Sequence, residues 1–272
     1  MNEFLSSRYV EVIHRLALGI EPIDAQHGRR LSYSLQMKHE EELLGLPRPP
    51  IERHGSNLFS LRYQPGVKTL ITLRIFDLET PRYDPKYDRR RIVPRRLKIP
   101  ILTRADVENQ EKLERQEFRR RIRRPAFFPG AAYDSGATAT ALRGRVRRGG
   151  EAMRWARVEA KLAGQDVGRA HGDDRGEFFL IVNARAVTGS SLPNPLNIDI
   201  SVSGPAIAVP HSPEKEKIDP LWDLPVETLA APGSAVDKVA TGENLPTDYT
   251  ATVTETVTFT LGTSIYREFT IP

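Results

Sequence analysis

Every second residue from 250 to 260 is threonine, in a run that reads TATVTETVTFTL over residues 250–261. The alternate positions hold Ala251, Val253, Val257, Phe259 and Leu261, interrupted by Glu255. A period of two divides the faces of an extended strand and fits no helix. Gly262, Thr263 and Ser264 then turn the chain and residues 265–271 return, so the segment predicts a C-terminal β-hairpin. A hairpin alone is marginally stable in water. It must lie on its own sandwich or on a neighbouring subunit, whose sheet edge it would extend. In the second case Val253, Val257 and Phe259 are the side chains expected to make the contact.

The same alternation recurs upstream. Leu31, Tyr33, Leu35 and Met37 share one face of residues 31–38, and Val67, Thr69, Ile71, Leu73 and Ile75 share one face of residues 67–76. Further strands are expected at 10–17, 57–61, 92–102, 140–146, 156–162, 177–182 and 197–202. Turn chemistry separates them: Gln64-Pro65-Gly66, Arg148-Gly149-Gly150, and the Asp173-Asp174-Arg175-Gly176 cluster. The 21 prolines, spread along the chain, break helices and central strands and so favour many short strands. Apolar residues make up only 39% of the sequence, which suits two modest cores better than one large one.

Residues 103–124 are different. Thr103 is placed to cap a helix with Asp106 at its third position. The stretch that follows is rich in helix formers and nearly lacks an apolar stripe, and Glu108 with Lys112 and Glu111 with Arg115 fall at i,i+4. Pro125 ends it. The pattern predicts a solvent-exposed connector helix of about six turns, closing on the basic run Arg119, Arg120, Arg121, Arg123 and Arg124. The expected organisation is therefore an N-terminal sandwich at 1–102, a charged helical connector at 103–136, a second sandwich at 137–210, and an acidic loop with the hairpin arm at 211–272.

Charge is unevenly distributed. Residues 81–124 hold 16 Lys/Arg against 7 Asp/Glu, whereas residues 211–272 hold 4 against 10. A basic block suits nucleic acid or another anionic surface. It equally suits the acidic tail of a second copy, and a protein partner is the favoured expectation.

Little in the sequence points to chemistry. With no cysteine, thiolate metal sites and cysteine nucleophiles are excluded. Histidines 14, 27, 39, 54, 171 and 211 show no helical i,i+4 pair, so no metal site is expected. Asp173-Asp174 lacks the spaced oxygen ligands of a calcium loop. Gly-rich phosphate loops and nucleophile elbows are missing. No catalytic residue, cofactor or metal is assigned. The first ten residues lack a charged start followed by an apolar run, and no stretch is long and apolar enough to span a membrane. The expectation is cytoplasmic synthesis, with the chain in a particle that stays there or is released.

The run over residues 142–182 carries Gly144-Arg145-Val146, a glycine turn, Ala156-Arg157-Val158, Gly168-Arg169-Ala170 and Asp174-Arg175-Gly176-Glu177-Phe178. It resembles the carboxypeptidase regulatory-like domain, a transthyretin-like β-sandwich that serves as a non-catalytic accessory. Where that family has a proline before Ala-Arg-Val, this chain has Met153-Arg154-Trp155. The wider arrangement includes residues 55–59 (GSNLF), 63–66 (YQPG) and 80–85 (TPRYDP), then the arginine-rich connector. It resembles accessory structural proteins of bacterial phage-tail-like contractile injection systems, which implies a place at a cap, collar or baseplate.

The sequence thus predicts an all-β chain of two immunoglobulin/transthyretin-like β-sandwich domains, joined by a charged helical connector and ending in a β-hairpin. Its expected role is that of a non-enzymatic subunit in a symmetric assembly of protein subunits. Two alternatives stand beside it. One is a carbohydrate- or surface-ligand-binding sandwich using Trp155, Trp222, Tyr83, Tyr87 or Tyr133. The other is non-specific nucleic-acid binding through the arginine-rich connector.

Overall fold

The computed structural model describes residues 15–43, 45–46, 48–77, 89–113, 117–183, 194–207 and 209–272. Outside them lie the start of the strand expected at 10–17, the motif at 80–85 with Tyr83, Tyr87, and the connector at 114–116. The side chains of the two i,i+4 pairs expected in the connector are likewise not described as pairs.

Strands dominate, as the alternation requires. The first half supplies β1 (Leu16–Ile20), β2 (Ile23–Asp24), β3 (Gln36–His39), β4 (Glu52–His54), β5 (Leu58–Arg62), β6 (Leu70–Phe76) and β7 (Arg95–Pro100), with the short helix α1 (Glu40–Leu43). Helix α2 (Arg104–Leu113) leads to β8 (Ile122–Arg123) and β9 (Ala126–Phe127). The second half contributes β10 (Ala141–Arg148), β11 (Glu151–Ala152), β12 (Arg157–Leu162), β13 (Gln165–His171), β14 (Glu177–Ile181) and β15 (Leu196–Gly204). The last stretch adds α3 (Pro213–Ile218), β16 (Val226–Thr228), β17 (Ala251–Phe259) and β18 (Ser264–Ile271).

Two sheets serve the first half, in the orders β4-β5-β1-β8 and β16-β7-β6-β3, beside a small β2–β9 pair. Two more serve the second half. One runs β13-β12-β15-β17; in the other, β10 pairs with β14 and β11 on one edge and with β18 on the other. Their inward faces share one apolar cluster, in which Leu142, Val146, Phe178 and Leu180 meet Val158, Ile198, Ile200 and Val202. This sandwich-like packing explains why Gly144 stands in the middle of β10. The ring of its cross-strand partner Phe178 lies over it, and a Cβ there would come within 2.3 Å of the ring. Glycine in a strand interior marks such a close approach.

Three expectations need correction. First, β17 and β18 do not form a hairpin. β17 pairs antiparallel with β15 from Ala251↔Gly204 to Phe259↔Leu196, and β18 pairs parallel with β10 from Ser264↔Ala141 to Ile271↔Arg148. The turn between them crosses from one sheet to the other, so the segment is an arch. Local alternation sets the faces of both strands, but β15 and β10 already offer open edges, and those edges decide the pairing. The apolar face of the arch lies inside its own sandwich: Val257, Phe259, Phe269 and Ile271 are buried there. On the outer face the threonines bond across to β15, through Thr252–Ser203, Thr254–Ser201, Thr256–Asp199 and Thr258–Asn197.

Second, the connector is not one long helix. Thr103 and Asp106 do cap α2 reciprocally, with Asp106 N donating to Thr103 Oγ1 and Thr103 N to Asp106 Oδ2. Helix α2 is described over Arg104–Leu113, however, and residues 117–121 already form a 3₁₀ turn. The arginine run then enters the sheet as β8, parallel to β1.

Third, residues 211–250 are no separate acidic loop. They fold back onto the first half, where β16 adds a parallel strand to β7. Leu221 and Leu224 there join a cluster with Phe76 and Val93 from the first half and Trp155 from the second.

Candidate functional site

A buried ionic junction is drawn from three parts of the chain. Arg95, on β7, is fully buried. Its Nε and Nη2 donate to the two carboxylate oxygens of Glu227 at 3.1 and 2.8 Å. Its remaining donors go to the carbonyls of Ala126, Val239 and Ala240. Arg157 of β12 reaches the same carboxylate at 3.4 Å and donates to the carbonyl of Trp155. One acid on β16 thus ties the first half to the second. Burial alone would raise the Glu227 carboxyl, but the two guanidinium groups outweigh it and hold the pKa below the usual value.

His171 sits beside this junction, opposite Arg157 in the β12–β13 register. Its ring stacks on Phe128 with centroids 3.8 Å apart. Burial, then the charges of Arg157 and Arg95, depress its pKa well below the ordinary histidine value. The folded state therefore binds this proton less readily than the unfolded chain. The associated stability is complete above about pH 6.5 and declines as the pH falls below it, by up to about 1.4 kcal/mol per pH unit. Urea midpoints measured from pH 7.5 down to 5 should show this loss, and His171→Gln should flatten it. An equal slope in the variant would remove His171 as its source.

The arginines singled out in the sequence do not make a free basic patch. Arg121 is 9% exposed and donates to the carbonyl of Leu16. Arg123 is 8% exposed and donates to the carbonyls of Pro100 and Ala230. Arg124 pairs with Glu21 at 3.0 Å. Arg119 and Arg120 are exposed in the 3₁₀ turn. Val253 is half-buried, and Val257 and Phe259 are buried in the chain's own core. Of the aromatic residues, Trp155 and Tyr133 are buried, and half-buried Trp222 lies under Lys215.

What sequence reasoning missed is Arg95, Arg157 and Glu227. They are 62 and 70 residues apart in succession, and only an isolated charge within an apolar strand pattern could have hinted at them.

A cleft of about 420 Å³ opens beside Trp155. Several of the polar groups that line it are bonded to one another: Arg154 to Glu216 and Asp223, and Trp155 Nε1 to Asp223. Burial raises the Asp223 carboxyl, against the opposing pull of Trp155 and Arg154.

The opposite character marks the flank where the arch lies. β17 and β18 are the outermost strands of their sheets, and among the described residues no strand pairs with their outer edges. They present nine and eight residues of continuous edge without a proline. Two exposed charges, Glu255 and Arg267, stand on the inward-facing sides of these strands, among the residues otherwise committed to the core. Inward-pointing charges on edge strands discourage indiscriminate pairing.

Comparison with family models, with curated proteins and with solved structures finds no match to this chain.

Proposed function

We propose that this chain is a non-enzymatic structural subunit of a larger assembly, and that it docks onto neighbouring protein subunits by strand addition along the β17–β18 flank. The observation that carries this reading is the flank itself: two long, regular sheet edges side by side. Folded proteins normally shorten, cover or kink such edges, and a bound partner can use them through main-chain hydrogen bonds. The internal charges support it too, because Arg95, Arg157 and Glu227 are spent on joining elements. In the finer form of the proposal the two halves are immunoglobulin- or transthyretin-like sandwiches, the second of the carboxypeptidase regulatory-like kind. The assembly is then a phage-tail-like contractile injection system, with the chain at its cap, collar or baseplate.

Gentle lysis of the native producer followed by high-speed sedimentation tests the reading. The chain should pellet with large particles and stay with them at 1 M salt, because ladder hydrogen bonds are not screened as surface ion pairs are, with a Debye length of about 3 Å there. Recovery only as a free soluble protein would end the proposal.

A further inference from the structure

The arch places two unpaired edges on one flank, and their residues complement each other strand against strand. We infer that the partner on this flank is a second copy of the chain, bound about a two-fold axis so that β17 of each copy pairs antiparallel with β18 of the other. The inference deepens the subunit reading above and rests on the flank described there.

The geometry follows from the arch. β17 and β18 belong to facing sheets about 10 Å apart and run in opposite directions, since one turn joins them. A two-fold axis parallel to the strands, midway between the sheets and just outside the flank, exchanges the two levels. It brings β17 of one copy beside β18 of the second at one level, and repeats the pairing at the other. Both pairs are antiparallel, and both sheets become continuous across the dimer. Such an interface is isologous and closed, the commonest symmetry of soluble oligomers.

The register follows from side-chain faces and charge. Inward residues must oppose inward residues, because a slip of one position turns every side chain to the other face. Inward positions on β17 are Ala251, Val253, Glu255, Val257 and Phe259; on β18 they are Ile265, Arg267, Phe269 and Ile271. Setting Glu255 opposite Arg267 of the second copy puts Ala251 opposite Ile271, Val253 opposite Phe269, and Val257 opposite Ile265. On the outer face the threonines then meet Ser264, Tyr266, Glu268 and Thr270. All eight residues of β18 find partners among the nine of β17. A slip of two positions either way sets each charge against an apolar residue. Pairing β17 with β17 about Glu255 opposes two acids, and pairing β18 with β18 about Arg267 opposes two bases. Opposite charges directly across a strand pair are favourable and like charges are not.

Sedimentation velocity on the purified full chain over a wide concentration range tests this. Glu255 and Arg267 are exposed, so charge variants keep the fold, which far-UV circular dichroism verifies. The wild type should dimerise. Glu255→Arg alone and Arg267→Glu alone should each weaken dimerisation at least tenfold, since each homodimer then carries two like-charge pairs. Mixing the two variants should restore dimers, because every cross-strand charge pair in the mixed dimer is again opposite in sign. The double variant should dimerise like the wild type. A wild type that stays monomeric, single variants that dimerise unchanged, or a mixture that fails to recover would each overturn the inference. A monomer that still pellets with native particles would overturn self-pairing while leaving the subunit reading intact. A charge-dependent dimer absent from those particles would sink the subunit reading and keep this one.

Discussion

Replacing Glu227 with alanine should remove about 3–5 kcal/mol of stability, the usual result of stripping one partner from a buried ion pair. That is a large share of the roughly 5–15 kcal/mol by which folded domains are stable. Arg95 would keep its bonds to the carbonyls of Ala126, Val239 and Ala240 but would hold a buried charge with no counter-charge. Arg157 would lose the same carboxylate. Glu227→Gln, which retains one acceptor oxygen and loses the charge, should fall between the variant and the wild type. The carboxyl also ties stability to pH: its pKa is lowered in the fold, so its contribution is present above the ordinary carboxylate value and is lost as the pH falls through the lowered one. Urea titration at neutral pH measures the first effect. A loss below about 1 kcal/mol, the range of exposed ion pairs, would mean that the junction is not dry.

The second large effect comes from the arch. Deleting residues 250–272 should abolish cooperative folding of the second half rather than yield a trimmed but folded protein. β17 covers the edge of β15, β18 covers the edge of β10, and together they bring Val257, Phe259, Phe269 and Ile271 to the shared core. Phe259→Ala, a milder version, should cost about 3–5 kcal/mol. Near-UV circular dichroism and the sharpness of thermal unfolding read both outcomes. A truncated chain that melts cooperatively with the wild-type signal would refute the placement of the arch.

Much of the local structure was legible in the residues. The alternation at 250–261 marks a strand and its two faces correctly, and the Thr103–Asp106 cap is where spacing puts it. Gln64-Pro65-Gly66 turns as its chemistry requires, with Gly66 at φ +90°. Pairing was not legible, because it depends on edges far away in sequence. An arch and a hairpin share the same local signal, and only β15 and β10 distinguish them. The run 119–124 was misread for a related reason: a string of arginines looks alike whether solvated or, as at Arg121 and Arg123, bonded to backbone carbonyls inside the fold. The opposite charges of residues 81–124 and 211–272 suggested contact between copies. Part of that complementarity is consumed within one chain, where Arg95 meets Glu227.

The threading of the last sixty residues bears on how the protein comes into being. β16 belongs to the first half, whereas β17 and β18 belong to the second. A nascent chain that stops short of β16 therefore has two unfinished halves, each with a bare sheet edge and one with Arg95 lacking its counter-charge. Domain-by-domain folding during synthesis, the ordinary route for chains of this length, is closed to it. Native structure must arrive late and nearly at once, from contacts between distant segments, which slows folding. Until then the nascent chain carries open β edges that other nascent copies can reach.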